Sequence, residues 1–421
     1  MPQLPPIFSK QNSSKRLLLL LLVLFFILPF GKGTLINIVL TLFLIHSFIS
    51  VSKQGWKSAL RSPIFILPGA YLVFQGLSIL WASDVSEGLI QFNIKMGLLV
   101  IPFVLVANKS LFKTGFRPKI IQAFLWGNVV AGLFVFAYAA YRVLSSGSWF
   151  FTLPGSDYRH YYFLYEDLAE PLMHPGYLST YIGFAIIIAL YLLLFKQTQK
   201  RLLTGLVLFF LFFTLVMLQG RINILALFAV LGLGAIIATF KLKAYKWLVL
   251  PAAPLVLLLG FVLFASPQMK SRYFQAPDFS YDISGNDFNS ATYRLAEWLC
   301  AFDVIEENIW LGVGMGDNRK ALQDAYKERA FWAGAERKFN AHNQYVETSI
   351  ATGLAGFILL LILLVGYGRL AWRQKKYGLL SCLVFFAISM LTESMFERTW
   401  ALNLFAIFFP VMLLKFEEDQ N

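Results

Sequence analysis

The sequence predicts an all-α integral membrane protein: a polytopic bundle of about 12 transmembrane helices with a large external loop containing short amphipathic helices. Three observations carry this. The 421 residues are 58% hydrophobic and only 14% charged, more apolar area than a soluble domain can bury. Apolar runs of about 20 residues recur along the chain, the length that crosses a bilayer. They are continuous rather than alternating, which excludes a transmembrane barrel and leaves helices, because lipid offers the backbone no other hydrogen-bond partner.

Spans are expected near Leu17–Phe30, Thr34–Val51, Ile64–Trp81, Leu89–Ala107 and Ile120–Val143. Others follow near Pro175–Phe195, Leu202–Leu218, Ile222–Phe240 and Trp247–Ala265, and the last three near Val346–Gly366, Gly378–Leu391 and Trp400–Leu414. The positive charge then falls in alternate connections, at Lys10, Lys15 and Arg16, at Lys53, Lys57 and Arg61, at Lys109 to Lys119, and on to Arg369, Arg373, Lys375 and Lys376. Positive charge inside makes this face, and both termini, cytoplasmic. The net charge of +13 is therefore topology, with membrane lipids as its partner and no need for nucleic acid. The chain divides into 1–265, nine spans with an external loop near 144–174; 266–343, the large external loop; and 344–421, three spans and a short tail. An uncleaved first span is expected from "KRLLLLLLVLFFILPFGKG", and Cys300 and Cys382 are not expected to pair. No spacing of Cys, His or carboxylates suggests a metal, and no cofactor is expected.

Within the large loop, Leu295, Trp298, Leu299, Phe302 and Ile305 share one helix face, predicting a helix on the membrane surface or capping the bundle, with Arg294 beside the stripe. "GVGMG" (312–316) lacks the spacing and preceding strand of a nucleotide loop. Asp317 is placed to cap a following short helix.

Each candidate has a plain structural alternative. Arg221, between two spans, snorkels to the interface or meets an anion. Lys95 lies within a span and pairs with a carboxylate or a phosphate. His342, at the external start of a span, caps it or takes a proton near neutral pH. Arg159, His174 and Tyr177 belong to an aromatic, mixed-charge loop suited to a sugar or headgroup, or to an interfacial belt. His160 is expected to be solvated.

The order of these features resembles the O-antigen ligase and polymerase superfamily of bacterial membrane glycosyltransferases. An arginine outside a middle span precedes a late external loop containing "YRLAEWLCAFDVIEENIWLGVGMGDN" and closing with "AHNQYVETSIATGLAG". The turn "IWLGVG" lacks the proline of the family pattern. The resemblance implies a GT-C-like fold. It implies that Arg221 and Arg294 hold a donor diphosphate, that His342 is catalytic, and that Asn343, Glu347 and Trp298 support it. Lys95, Arg159, His174 and Tyr177 are further substrate contacts in that picture. The implied reaction is metal-independent and inverting, moving a glycan from undecaprenyl diphosphate to lipid A core on the periplasmic face of the inner membrane. A polymerase extending a growing glycan is the alternative, and a small-anion, bicarbonate-like transporter a second. A transporter calls for broken spans and midplane charges, whereas these candidates, Lys95 apart, cluster at the external rim.

Overall fold

The computed structural model describes residues 10–31, 33–112, 115–152, 159–195, 198–242, 256, 260 and 290–415. The expected span Trp247–Ala265 and the loop's turn-rich start, 266–289, lie outside the described residues apart from 256 and 260. Helices begin and end close to the apolar runs. They are α1 (Lys10–Ile27), α2 (Thr34–Ser50), α3 (Lys53–Leu60), α4 (Pro63–Leu77), α5 (Val85–Lys95), α6 (Gly97–Ala107) and α7 (Phe116–Ser146). After a hairpin and the short α8 (Tyr165–Ala169) come α9 (Pro175–Leu194), α10 (Arg201–Met217) and α11 (Arg221–Leu242). The late loop supplies α12 (Ser290–Glu307), α13 (Asn318–Glu328) and α14 (Trp332–Arg337), and the chain closes with α15 (Gln344–Arg373), α16 (Tyr377–Ser389) and α17 (Thr399–Leu413). Local chemistry sets several ends. Pro63 and Pro175 occupy first turns, where a missing N–H costs nothing, and Ser52, Ser62 and Asp84 cap with their side chains.

Among the described residues six helices are long and apolar enough to cross a membrane, seven if the α2–α3 pair, bent by 114°, is one span. The expected count of about 12 is not reached on this measure. Several apolar helices, α10, α16 and α17 among them, have 13–17 residues, roughly 20–25 Å at 1.5 Å per residue against a hydrocarbon core of about 30 Å. A second departure is the 144–174 segment, which holds a small antiparallel hairpin, β1 (Phe150–Thr152) with β2 (Arg159–Tyr161). There His160 is not simply solvated, because its Nδ1 meets Asp167 at 3.3 Å.

The helices with no polar face lie innermost. α9 buries Tyr177 through Leu190, and α17 buries most of its length. Phe184, Phe385, Phe386, Phe405, Phe408 and Phe409 make a continuous aromatic cluster where α9, α16 and α17 meet, with ring centroids 4.9–6.2 Å apart.

One break in a span shapes the site. At Gly353, φ +60° and ψ −159° interrupt α15, a region open essentially to glycine alone. The freed backbone groups pair with the glycine turn of the loop. Val313 and Gly314 donate to the carbonyls of Ile350 and Ala351, each at 2.9 Å. Leu354 and Ala355 donate to Ile309 and Trp310, at 2.7 and 3.3 Å. The two glycine runs of the sequence are thus one joint. A Cβ on Gly312 would sit 2.5 Å from Ala351 backbone, so the approach itself needs glycine.

Candidate functional site

His342 stands at the end of the loop, immediately before the N-cap of α15. Asn343 is the cap, its side chain accepting from the N–H groups of Tyr345 and Val346 at 2.9 and 3.2 Å, so His342 is released from capping. Its own backbone is left-handed, φ +41°, a conformation that costs a non-glycine residue free energy and persists only when neighbours enforce it. They do so by gripping Ala341 at both ends. Trp298 Nε1 donates to the Ala341 carbonyl at 3.0 Å, and the Ala341 N–H donates to Glu347 at 3.1 Å. Asn340 Oδ1 accepts from the His342 N–H at 3.0 Å. Glu347, fully buried, also accepts from Asn318 at 3.1 Å, tying α13 to α15.

The imidazole is oriented by a residue the sequence reading missed. His342 Nδ1 lies 3.0 Å from Oε2 of Glu297, which is 1% exposed on α12. That contact assigns the proton to Nδ1 and leaves the Nε2 lone pair available. Burial pushes the His342 pKa down, but the hydrogen bond and charge of Glu297, with the charge of Glu393, outweigh it and the net movement is upward. Burial raises Glu297 above the ordinary carboxylate range, with His342 and Arg294 pulling against it.

Arg294 lies one helical turn before Glu297. Its Nε donates to the Thr392 carbonyl at 3.2 Å and its Nη2 meets Glu393 at 3.4 Å, while the guanidinium keeps about a quarter of its surface. Glu393, in the α16–α17 turn, was also missed. It faces Gly176, which brings in His174. The His174 Nδ1 accepts from the Gly176 N–H at 3.3 Å, so its proton resides on Nε2. The desolvation of the ring moves its pKa down against the pull of Glu393 and Glu166. The two histidines thus present opposite faces, His342 an acceptor and His174 a donor. His174 feels the charges of His342 and Arg294, and Tyr177 packs between the rings of His174 and Trp400 at 5.9 and 5.4 Å.

Arg221 opens α11 at the same end. Two residues on, buried Asn223 donates to the Gly176 carbonyl at 3.1 Å and accepts from Thr180 and Ser389 at 3.3 and 2.8 Å. The first turns of α9 and α11 are locked together, placing the half-buried Arg221 beside the His174 turn. Two other expected contacts are differently engaged. Lys95, 2% exposed, is ion-paired with buried Glu397 and near Gln75 Oε1 at 3.4 Å, so it is spent on a carboxylate inside the bundle and not open to a phosphate. Arg159 lies over the Phe150 ring at 4.7 Å on the hairpin.

One loop expectation is corrected and another is refined. Asp317 sits at the N-cap of α13, where its carbonyl accepts from the Ala321 N–H at 2.8 Å, but its side chain makes no cap bond. Its carboxylate accepts from the Ser83 and Asp84 N–H groups at 2.6 and 3.0 Å, which against its burial hold its pKa low. The apolar stripe of α12 is split: Leu299 and Phe302, 44% and 48% exposed, turn outward as a membrane-surface helix would, Ile305 packs against the loop core, and Ala296, Glu297, Cys300, Ala301 and Val304 are buried. Small side chains let α12 approach α13 and α15 closely, and that approach is what carries Glu297 to His342. Among the described residues no three His, Cys, Asp or Glu side chains group as a metal site.

Glu297 had a sequence signal, its i, i+3 spacing from Arg294 on one helix face. Glu393 and Glu397 had a weaker one, two acids in a short external turn.

Residues 206–361 match a family model described as O-Antigen ligase. No curated protein matches the chain. The family match supports the O-antigen ligase superfamily and a function of the ligase and polymerase kind, carried out by glycosyltransferase-like enzymes. With the apolar helices it fits a multi-pass inner-membrane protein.

Proposed function

We propose that this chain is an O-antigen ligase, transferring a glycan from undecaprenyl diphosphate to a sugar hydroxyl of lipid A core at the periplasmic end of the bundle. The observation that carries this reading is the Glu297–His342 pair beside Arg294. In it a partly buried imidazole, with its basic nitrogen turned away from its carboxylate, stands next to a fixed guanidinium. The acceptor hydroxyl gives its proton to His342 Nε2 while its oxygen attacks the anomeric carbon. The bond from that carbon to the phosphate oxygen breaks with inversion, and undecaprenyl diphosphate leaves. Arg294 and Arg221 stabilise the charge that grows on the diphosphate, since guanidinium is always ionised and bidentate toward phosphate oxygens. His174 donates from Nε2 to a phosphate or sugar oxygen. The energy comes from the diphosphate linkage, with no nucleotide required. A polymerase, with a growing lipid-linked glycan as acceptor, uses the same residues in the same roles.

The test offers the purified protein a lipid-diphosphate-linked glycan with lipid A core and, separately, with free lipid-linked repeat. Transfer to core that is lost in His342→Ala supports the ligase. Chain lengthening establishes the polymerase instead, and no transfer to either sinks both. Arg294→Lys is expected to fail nearly as badly as Arg294→Ala, because a point charge does not reproduce the bidentate fork.

A further inference from the structure

The opposite end of the bundle from His342 carries a cationic cluster that glycosyl transfer does not use. Arg117 lies in the first turn of α7, and Lys375 and Lys376 form the tight turn between α15 and α16. The last turn of α17 ends among them. Arg117 Nη2 donates to the Leu414 carbonyl at 2.8 Å, and Lys376 Nζ donates to Met412 and Leu414 at 2.8 and 3.2 Å. Cations at a helix C-terminus are favourable by themselves, and that accounts for Arg117 and Lys376 at these carbonyls. It does not account for Lys375, or for what lies beside the cluster.

Arg117, Lys375 and Lys376 also line a cavity of about 220 Å³, whose other walls are largely apolar, Ile121, Ile188 and Leu379 among them. No carboxylate belongs to its lining among the described residues. Charge at the mouth and hydrocarbon below, between helices whose outer faces meet lipid, is the arrangement of an amphiphile site. We propose that this cavity binds one anionic phospholipid, its phosphate and headgroup against the three cations and its upper acyl chain in the slot between α7, α9 and α16. A zwitterionic lipid would set its own ammonium against three like charges with no carboxylate to receive it. A soluble anion gains nothing from the apolar walls. This is also the end whose positive charge predicts a cytoplasmic position, where anionic lipid surfaces attract basic segments.

Native mass spectrometry of the full-length protein in mild detergent tests this with phosphatidylglycerol and phosphatidylcholine of identical chains. One phosphatidylglycerol per protein, retained at least tenfold better than phosphatidylcholine, is the expected result. Lys375→Gln removes an exposed cation that anchors no helix end, and Ile121→Trp fills the slot without touching charge. Each is expected to weaken phosphatidylglycerol retention at least threefold, with a thermal unfolding curve like that of the parent. Equal retention of the two lipids, or undiminished retention in both folded variants, overturns the proposal. Displacement by millimolar inorganic phosphate also overturns it, making the cluster a site for free anions.

Discussion

A carboxylate behind an imidazole does two things at once: it chooses the tautomer and it raises the basicity of the free nitrogen. Glu297 does both for His342. Glu297→Gln is therefore expected to lower kcat by at least about 10-fold and by up to about 10⁴-fold, because an amide can reverse the tautomer that the carboxylate fixes, with KM for the donor little changed. In the proposed reaction neutral His342 is the base, so the acid limb of the pH–rate profile is expected to follow its raised pKa. Removing the Glu297 charge moves that limb to lower pH. An unmoved limb in Glu297→Gln would remove the carboxylate from the mechanism. His342→Ala is expected to cost roughly 10²–10⁴-fold, the range of a lost general base. Trp298→Phe keeps the ring but loses the bond to Ala341, worth about 0.5–1.5 kcal/mol. Because that bond helps hold the left-handed His342 backbone, its activity loss is expected to exceed its small loss of stability in a denaturation curve.

The element that most constrains the site is the broken α15. An intact helix at Gly353 would satisfy Ile350 and Ala351 internally and leave the loop turn without partners; the break gives both segments their hydrogen bonds. Gly353→Ala places a Cβ 2.4 Å from the Trp310 backbone in a region alanine avoids, and is expected to cost at least about 1–3 kcal/mol. Gly147→Ala is the control, since its φ is +67° but nothing lies within 4 Å of the added atom. Thermal unfolding in detergent compares them. Equal shifts would mean that the loop joint adds nothing beyond backbone strain. The helix boundaries themselves were legible. Predicted Pro175–Phe195 and Leu202–Leu218 agree with α9 and α10 to within a residue, because apolar periodicity and proline at the first turn are local signals. Which residues of the α12 stripe turn outward was not, since a large apolar face on a membrane protein has lipid as well as protein to turn toward, and here it meets both.

At the scale of the molecule, the buried Lys95–Glu397 pair links the α5–α6 junction to the turn before α17, beneath the His342 site. Removing one partner of a buried ion pair typically costs about 3–5 kcal/mol, while replacing both with apolar groups is often near neutral. Lys95→Met and Glu397→Leu are each expected to destabilise strongly, and the double variant to recover most of the loss in equilibrium unfolding. A double variant no better than the singles would mean that the two groups do not interact. The arrangement is otherwise that of a bundle whose loops at one end assemble a polar site over an aromatic interior.

By itself the sequence determined the class of protein, the placement of most of the longer described helices though not of α3, α8 or α14, and the candidacy of His342, Arg294 and Arg221, because composition, period and charge are properties of short windows. Only the tertiary structure decided which polar groups meet. Glu297 reaches His342 across 45 residues, Arg294 reaches Glu393 across 99, and Lys95 finds Glu397 across some three hundred. Nothing local encodes such pairings. Helix packing sets them, through small side chains such as Ala296 and Ala301 and a glycine break at residue 353. A buried charge settles wherever that packing supplies its opposite.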